Sequence, residues 1–171
     1  MTGYNQVLQV MASMLIFGLV VLQTNRQIVL NTQIQLQGEL EQEVIALATD
    51  IIDEALASHF DENTLNGNIP VFIPEGFTDP GIDAGEDVAD RTTFDDFDDY
   101  HNWHQIIPTE VGEFMVSGKV IYIDPITEEP SLTPTTAKRL EVTIQSRYLR
   151  QPGSTELRKY QFNSIRSYFA D

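Results

Sequence analysis

Apolar residues crowd the N-terminal part of the chain and then thin into a periodic stripe. Val7–Leu22 is interrupted only by Gln9, Ser13 and Gly18, and no charged side chain occurs from Met1 to Asn25. Sixteen residues of helix rise about 24 Å, a little short of the roughly 30 Å hydrocarbon core of a bilayer. The uncharged flanks Tyr4, Asn5, Gln6, Gln23, Thr24 and Asn25 can lengthen the segment. Further on, Leu36, Leu40, Val44, Leu47 and Ile51 recur at steps of 4, 4, 3 and 4, with Ile45, Ile52 and Leu56 widening the stripe. That spacing is helical amphipathicity. No proline precedes Pro70, so nothing stops the helix between its two halves. The pattern predicts one helix from about residue 5 to 59, roughly 80 Å long at the standard rise. Its first half is apolar all round and its second half has one apolar side. Gly38 is a soft spot, since glycine costs about 1 kcal/mol against alanine inside a helix.

The C-terminal third changes period. Phe114–Ile123, Leu140–Leu149 and Leu157–Phe169 are rich in β-branched and aromatic residues, and in the second Leu140, Val142 and Ile144 alternate with Glu141, Thr143 and Gln145. Alternation marks half-buried strands. Gln151–Thr155 carries turn chemistry between the last two runs. The expected fold class is α+β: a hydrophobic-then-amphipathic helix packed on a small antiparallel sheet with one solvated face. The expected organisation is a helix over 1–60, an acidic connection over 61–113, and a sheet over 114–171 that forms one globular head with the second half of the helix. The connection carries Pro70, Pro74, Pro80 and Pro108 with several glycines, so it is expected to be mostly irregular, with Ile69–Ile73 a short extended piece.

Charge sharpens this division. The net charge is −16, of which residues 61–104 hold −11. Such a chain repels phosphate backbones, so nucleic acid is not an expected partner. There is no cysteine, which excludes disulfides and thiolate metal sites. A cleavable secretory signal is a competing reading of the N-terminus, but that normally shows a basic leader and a small-residue cleavage site, and neither is visible. An ordinary buried core helix is the other.

Asp95, Asp96, Asp98 and Asp99 fall within Phe94–Trp103, FDDFDDYHNW. Hard oxygen ligands this dense suit calcium, although no EF-hand pattern is present. The alternative is a solvated acidic turn in which Phe94, Phe97, Tyr100 and Trp103 point inward at threefold spacing. Asp99 with His101 and His104 is a further, weaker metal set. No GxSxG, HExxH, P-loop or GxGxxG pattern occurs, so an enzyme is not expected.

The order of elements resembles the type IV pilin and pseudopilin architecture over nearly the whole chain. Two local segments add to it. FDDFDDYHNW resembles the FDDxDDYH segment of minor-pilin-like proteins, including MSHA-type minor pilins, and Lys138–Ile144, KRLEVTI, resembles the strand segment that follows it there. The resemblance implies a structural subunit of a surface filament or secretion pseudopilus, held together by helix packing of residues 4–30. Its partners would be copies of itself or other pilin-like subunits. It would sit in the inner membrane before assembly, and afterwards in an extracellular filament or a periplasmic pseudopilus. It also implies a processing site at Gly3–Tyr4, although Leu8 stands where the family usually has a glutamate. Leu8, Met14, Phe17, Gly18, Arg26 and Glu39 are the expected assembly residues. Gly18, Ala12 and Ser13 allow close helix approach, and Arg26 would pair with Glu39 or Glu43 of a neighbouring subunit. The alternative function is an unpolymerised single-pass envelope protein whose acidic domain binds calcium or a partner.

Overall fold

The computed structural model describes residues 2–150 and 156–169. The turn expected at Gln151–Thr155 lies outside the described residues. The fold is α+β, as the periodicities predict. Helix α1 spans Thr2–Ala57, and strands β1 (His104–Thr109), β2 (Gly112–Tyr122), β3 (Ala137–Arg150) and β4 (Leu157–Ser167) form one antiparallel sheet in the order β1-β2-β3-β4. Two compact units divide the chain, Met1–Glu41 and Gln42–Asp171.

In the first unit α1 is apolar and exposed. Val7, Leu8, Val10, Met11, Met14, Leu15, Ile16 and Phe17 are all at least 48% exposed. This is the one described helix long and apolar enough to cross a membrane, by length and composition.

In the second unit the rest of α1 packs on the sheet. Val44, Ala48, Ile51 and Ala55 form its buried line, at steps that keep one face of a 3.6-residue period. Of the expected stripe Val44 and Ile51 are buried and Leu40, Leu47 and Ile52 half-buried, while Leu36, Ile45 and Leu56 are exposed and Ala48 and Ala55 complete the buried line. The sheet supplies Phe114, Val116, Val120 and Tyr122 from β2 and Leu140, Val142 and Ile144 from β3, all buried. Residues alternate across a pleated strand, so each set shares one face. The helix end is closed from far along the chain. Arg166 of β4 donates through Nη1 to the carbonyls of Ala55 and Leu56, at 3.1 and 2.8 Å, and so satisfies acceptors that a helix C-terminus leaves without intrahelical donors.

The connection between helix and sheet holds more structure than its proline and glycine content suggests. Short 3-10 turns cover Glu62–Gly67, Arg91–Thr93 and Asp98–Tyr100, and β1 lies inside the segment expected to be irregular. Asp61 caps the first turn in a reciprocal box with Thr64.

Candidate functional site

The two segments that carried the sequence resemblance meet inside the head. Lys138 opens the core-facing parity of β3, two residues before Leu140, and its side chain is fully buried. Its Nζ donates to Asp98 Oδ2 at 2.5 Å, to Asp61 Oδ2 at 2.9 Å and to the Phe60 carbonyl at 2.9 Å. The rings of Phe60 and Tyr122 stand 4.4 and 5.0 Å from the ammonium, within cation–π range. Asp61 is saturated. It also accepts from Asn63 N at 3.1 Å and from Thr78 N and Oγ1 at 2.9 and 3.1 Å. Burial pushes the Asp98 carboxyl well above its usual range, against the pull of the Lys138 ammonium.

The acidic turn is pinned to the chain that leaves α1. His59 N donates to the Asp95 carbonyl at 3.0 Å, and Phe97 N donates to the His59 carbonyl at 2.8 Å. On its other side Gly118 N donates to the Trp103 carbonyl at 2.9 Å. A Cβ at Gly118 would lie 2.5 Å from the Tyr100 carbonyl oxygen, so the mid-strand glycine permits a close approach that no other residue allows without a shift. Phe97, Tyr100 and Trp103 are buried and Phe94 half-buried, as the threefold spacing predicts.

The aspartates, by contrast, are not solvated. Asp96, Asp98 and Asp99 are fully buried, and Asp95 alone is exposed. They also diverge, so the expected four-aspartate ligand set does not assemble. Asp98 turns to Lys138, while Asp96 and Asp99 turn to acids remote in sequence. Oxygens of Glu62, Asp83 and Asp96 lie within 4.8 Å of one another, and so do oxygens of Asp83, Glu86 and Asp99. The half-buried Glu62, Asp83 and Glu86 were missed by sequence reasoning, because nothing in their spacing ties them to the aspartate run.

Asp96 Oδ1 accepts from Asp98 N at 2.6 Å, and Asp99 Oδ2 accepts from Asp95 N and Asp96 N, each at 3.0 Å. The other oxygens, Asp96 Oδ2 and Asp99 Oδ1, are buried without a hydrogen-bond donor among the described residues. Burial pushes Asp96 up to about 7. Burial and then the neighbouring Glu86 carboxyl push Asp99 higher still. Glu62, Asp83 and Asp95 are raised too, by burial first and by the surrounding acids second. His101 faces the Val120 carbonyl at 2.6 Å, and neither His101 nor His104 joins a metal-spaced cluster among the described residues.

The expected assembly residues all lie on the first unit's helix. Leu8, Met14 and Phe17 are 48%, 69% and 70% exposed, and open space surrounds Gly18. Arg26 is exposed, and no ion pair joins it to another described residue. Glu39, also exposed, accepts only a long contact from Gln35 Nε2, at 3.5 Å. Gly3 and Tyr4 fall within the helix. Comparison of the chain with protein-family models, curated proteins and solved structures returns no match.

Proposed function

We propose that the chain is a structural, non-enzymatic subunit of a type IV pilus-like surface filament or secretion pseudopilus. The observation that carries this reading is the exposed apolar surface of α1. From Val7 to Leu30 the helix presents large exposed hydrophobic side chains around its circumference. Isolated exposed apolar residues are ordinary, but a surface this continuous needs lipid or protein around it. The helix runs without interruption into a head that buries its later residues. A subunit that waits in a membrane and then packs with copies of itself uses both halves. Small residues at Ala12, Ser13 and Gly18 suit close helix approach. Such a subunit is made in the inner membrane and ends in the cell-surface filament or the periplasmic pseudopilus.

The test is electron microscopy of sheared cell-surface material, with mass spectrometry of its main protein. Thin filaments dominated by this chain, lost when Phe17 is replaced by asparagine, support the reading. A chain that stays in the membrane fraction in every preparation and tolerates apolar scrambling of residues 4–30 overturns it in favour of a single-pass anchor.

A further inference from the structure

We propose that Glu62, Asp83, Glu86, Asp96 and Asp99 form a calcium-binding centre that fastens the helix-to-sheet connection to the head. This goes beyond the filament reading and does not depend on it. Three stretches of chain converge on the centre. The first turn after α1 supplies Glu62, the middle of the connection supplies Asp83 and Glu86, and the turn before β1 supplies Asp96 and Asp99. Asp83 belongs to both carboxylate triads and bridges them.

Two independent features distinguish this cluster from an ordinary acidic surface. The first is orientation. Asp96 and Asp99 are fully buried, each has one oxygen held by backbone N–H groups, and each leaves its other oxygen without a donor. A buried acceptor left without a partner is costly, the more so when it is charged. Backbone donors fix both carboxylates in directions that bring them to the remaining acids, so the arrangement is built rather than accidental. The second feature is that, among the described residues, no ion pair reaches Asp96 or Asp99. Lys138, the buried ammonium nearby, is committed to Asp61 and Asp98.

The ligand chemistry selects the ion. All-oxygen carboxylate sets take hard cations, and with no sulfur and no imidazole in the cluster, softer metals have no preferred donor. Calcium binds six to eight oxygens at about 2.3–2.6 Å, so oxygens on opposite sides of one ion stand roughly 5 Å apart. The spread within each triad fits that span. Magnesium demands a tighter octahedron and retains its water.

The full chain, purified in detergent and stripped with a calcium chelator, is titrated with calcium chloride by calorimetry and followed by thermal unfolding. Saturable binding is expected, with unfolding raised by roughly 5 °C at a hundredfold excess over Kd. Asp83→Asn and Glu86→Gln, at half-buried positions, should fold, melt no lower than the wild type in chelator because they relieve like-charge repulsion, and lose the calcium response. Asp53→Asn, on the exposed face of α1, should keep it. The proposal is overturned if calcium gives no saturable signal. It is equally overturned if magnesium at matched ionic strength gives the same shift, or if Asp83→Asn responds as the wild type does.

Discussion

Lys138 Nζ and Asp98 Oδ2 meet at 2.5 Å in a fully buried ion pair, which joins the third strand of the sheet to the turn that precedes the first. Asp61, at 2.9 Å from the same nitrogen, brings in the chain just beyond the helix. One ammonium thus ties three distant stretches together. Pairs of this kind contribute little net stability relative to a well-packed apolar replacement, but removing one partner leaves charge stranded.

Lys138→Met should therefore destabilise the head by about 3–5 kcal/mol, because Asp61 and Asp98 remain buried without their cation. Urea unfolding followed by near-ultraviolet circular dichroism measures this. A loss below about 1 kcal/mol would mean that the two carboxyls are satisfied in some other way.

Gly118→Ala should cost about 1–3 kcal/mol, the usual range for overpacking a filled site. Its Cβ would press on the Tyr100 carbonyl oxygen, so either β2 or the aromatic turn must give way. The change should appear as a lower denaturation midpoint together with altered Trp103 fluorescence. A midpoint equal to the wild type would show that the turn yields freely.

Without divalent cations, stability should fall as pH rises from about 5 to 8. Asp96, pushed up to about 7 by burial, and Asp99, pushed higher still, keep protons in the fold that an unfolded chain releases near pH 4. The folded state then binds more protons than the unfolded one across that window, so the slope of stability with pH is negative. Their contribution is whole below the unfolded value and is lost as pH passes the folded values. Melting temperatures in chelator at the two pH values test this, and an Asp96→Asn, Asp99→Asn double variant should flatten the dependence. An unchanged slope in that variant would locate the titration elsewhere.

Under the proposed filament function, Arg26 should find its counter-charge on another subunit. Arg26→Glu is expected to abolish filaments, and Arg26→Glu combined with Glu39→Arg or Glu43→Arg to restore them. Filament yield in sheared fractions is the readout, and failure of every combination to rescue would remove this pairing.

What the sequence made legible follows from which signals are local. The apolar helix and the strands of residues 114–169 were readable because each period repeats within a few residues. β1 was not, since His104–Thr109 is short and contains Pro108. Ala48 and Ala55 went unread as core because alanine weighs little in a hydropathy pattern, although a small side chain suits a buried line on a helix. The burial of Asp96, Asp98 and Asp99 ran against the rule that acidic runs face water. One signal was available: Lys138 shares the inward parity of Leu140, Val142 and Ile144, and a lysine on a core face demands buried acids. No comparable signal marks Glu62, Asp83 or Glu86, which only the folded connection brings to the turn.

Arg166 closes the helix end from 111 residues downstream of Ala55. A contact so remote in sequence cannot form until β4 has left the ribosome, whereas the apolar half of α1 needs only neighbours a turn away. Synthesis therefore delivers the greasy segment well before the closed head. During that interval the exposed helix is the part most in need of a chaperone or a bilayer, and any stall upstream of β4 leaves a head whose helix terminus is still open.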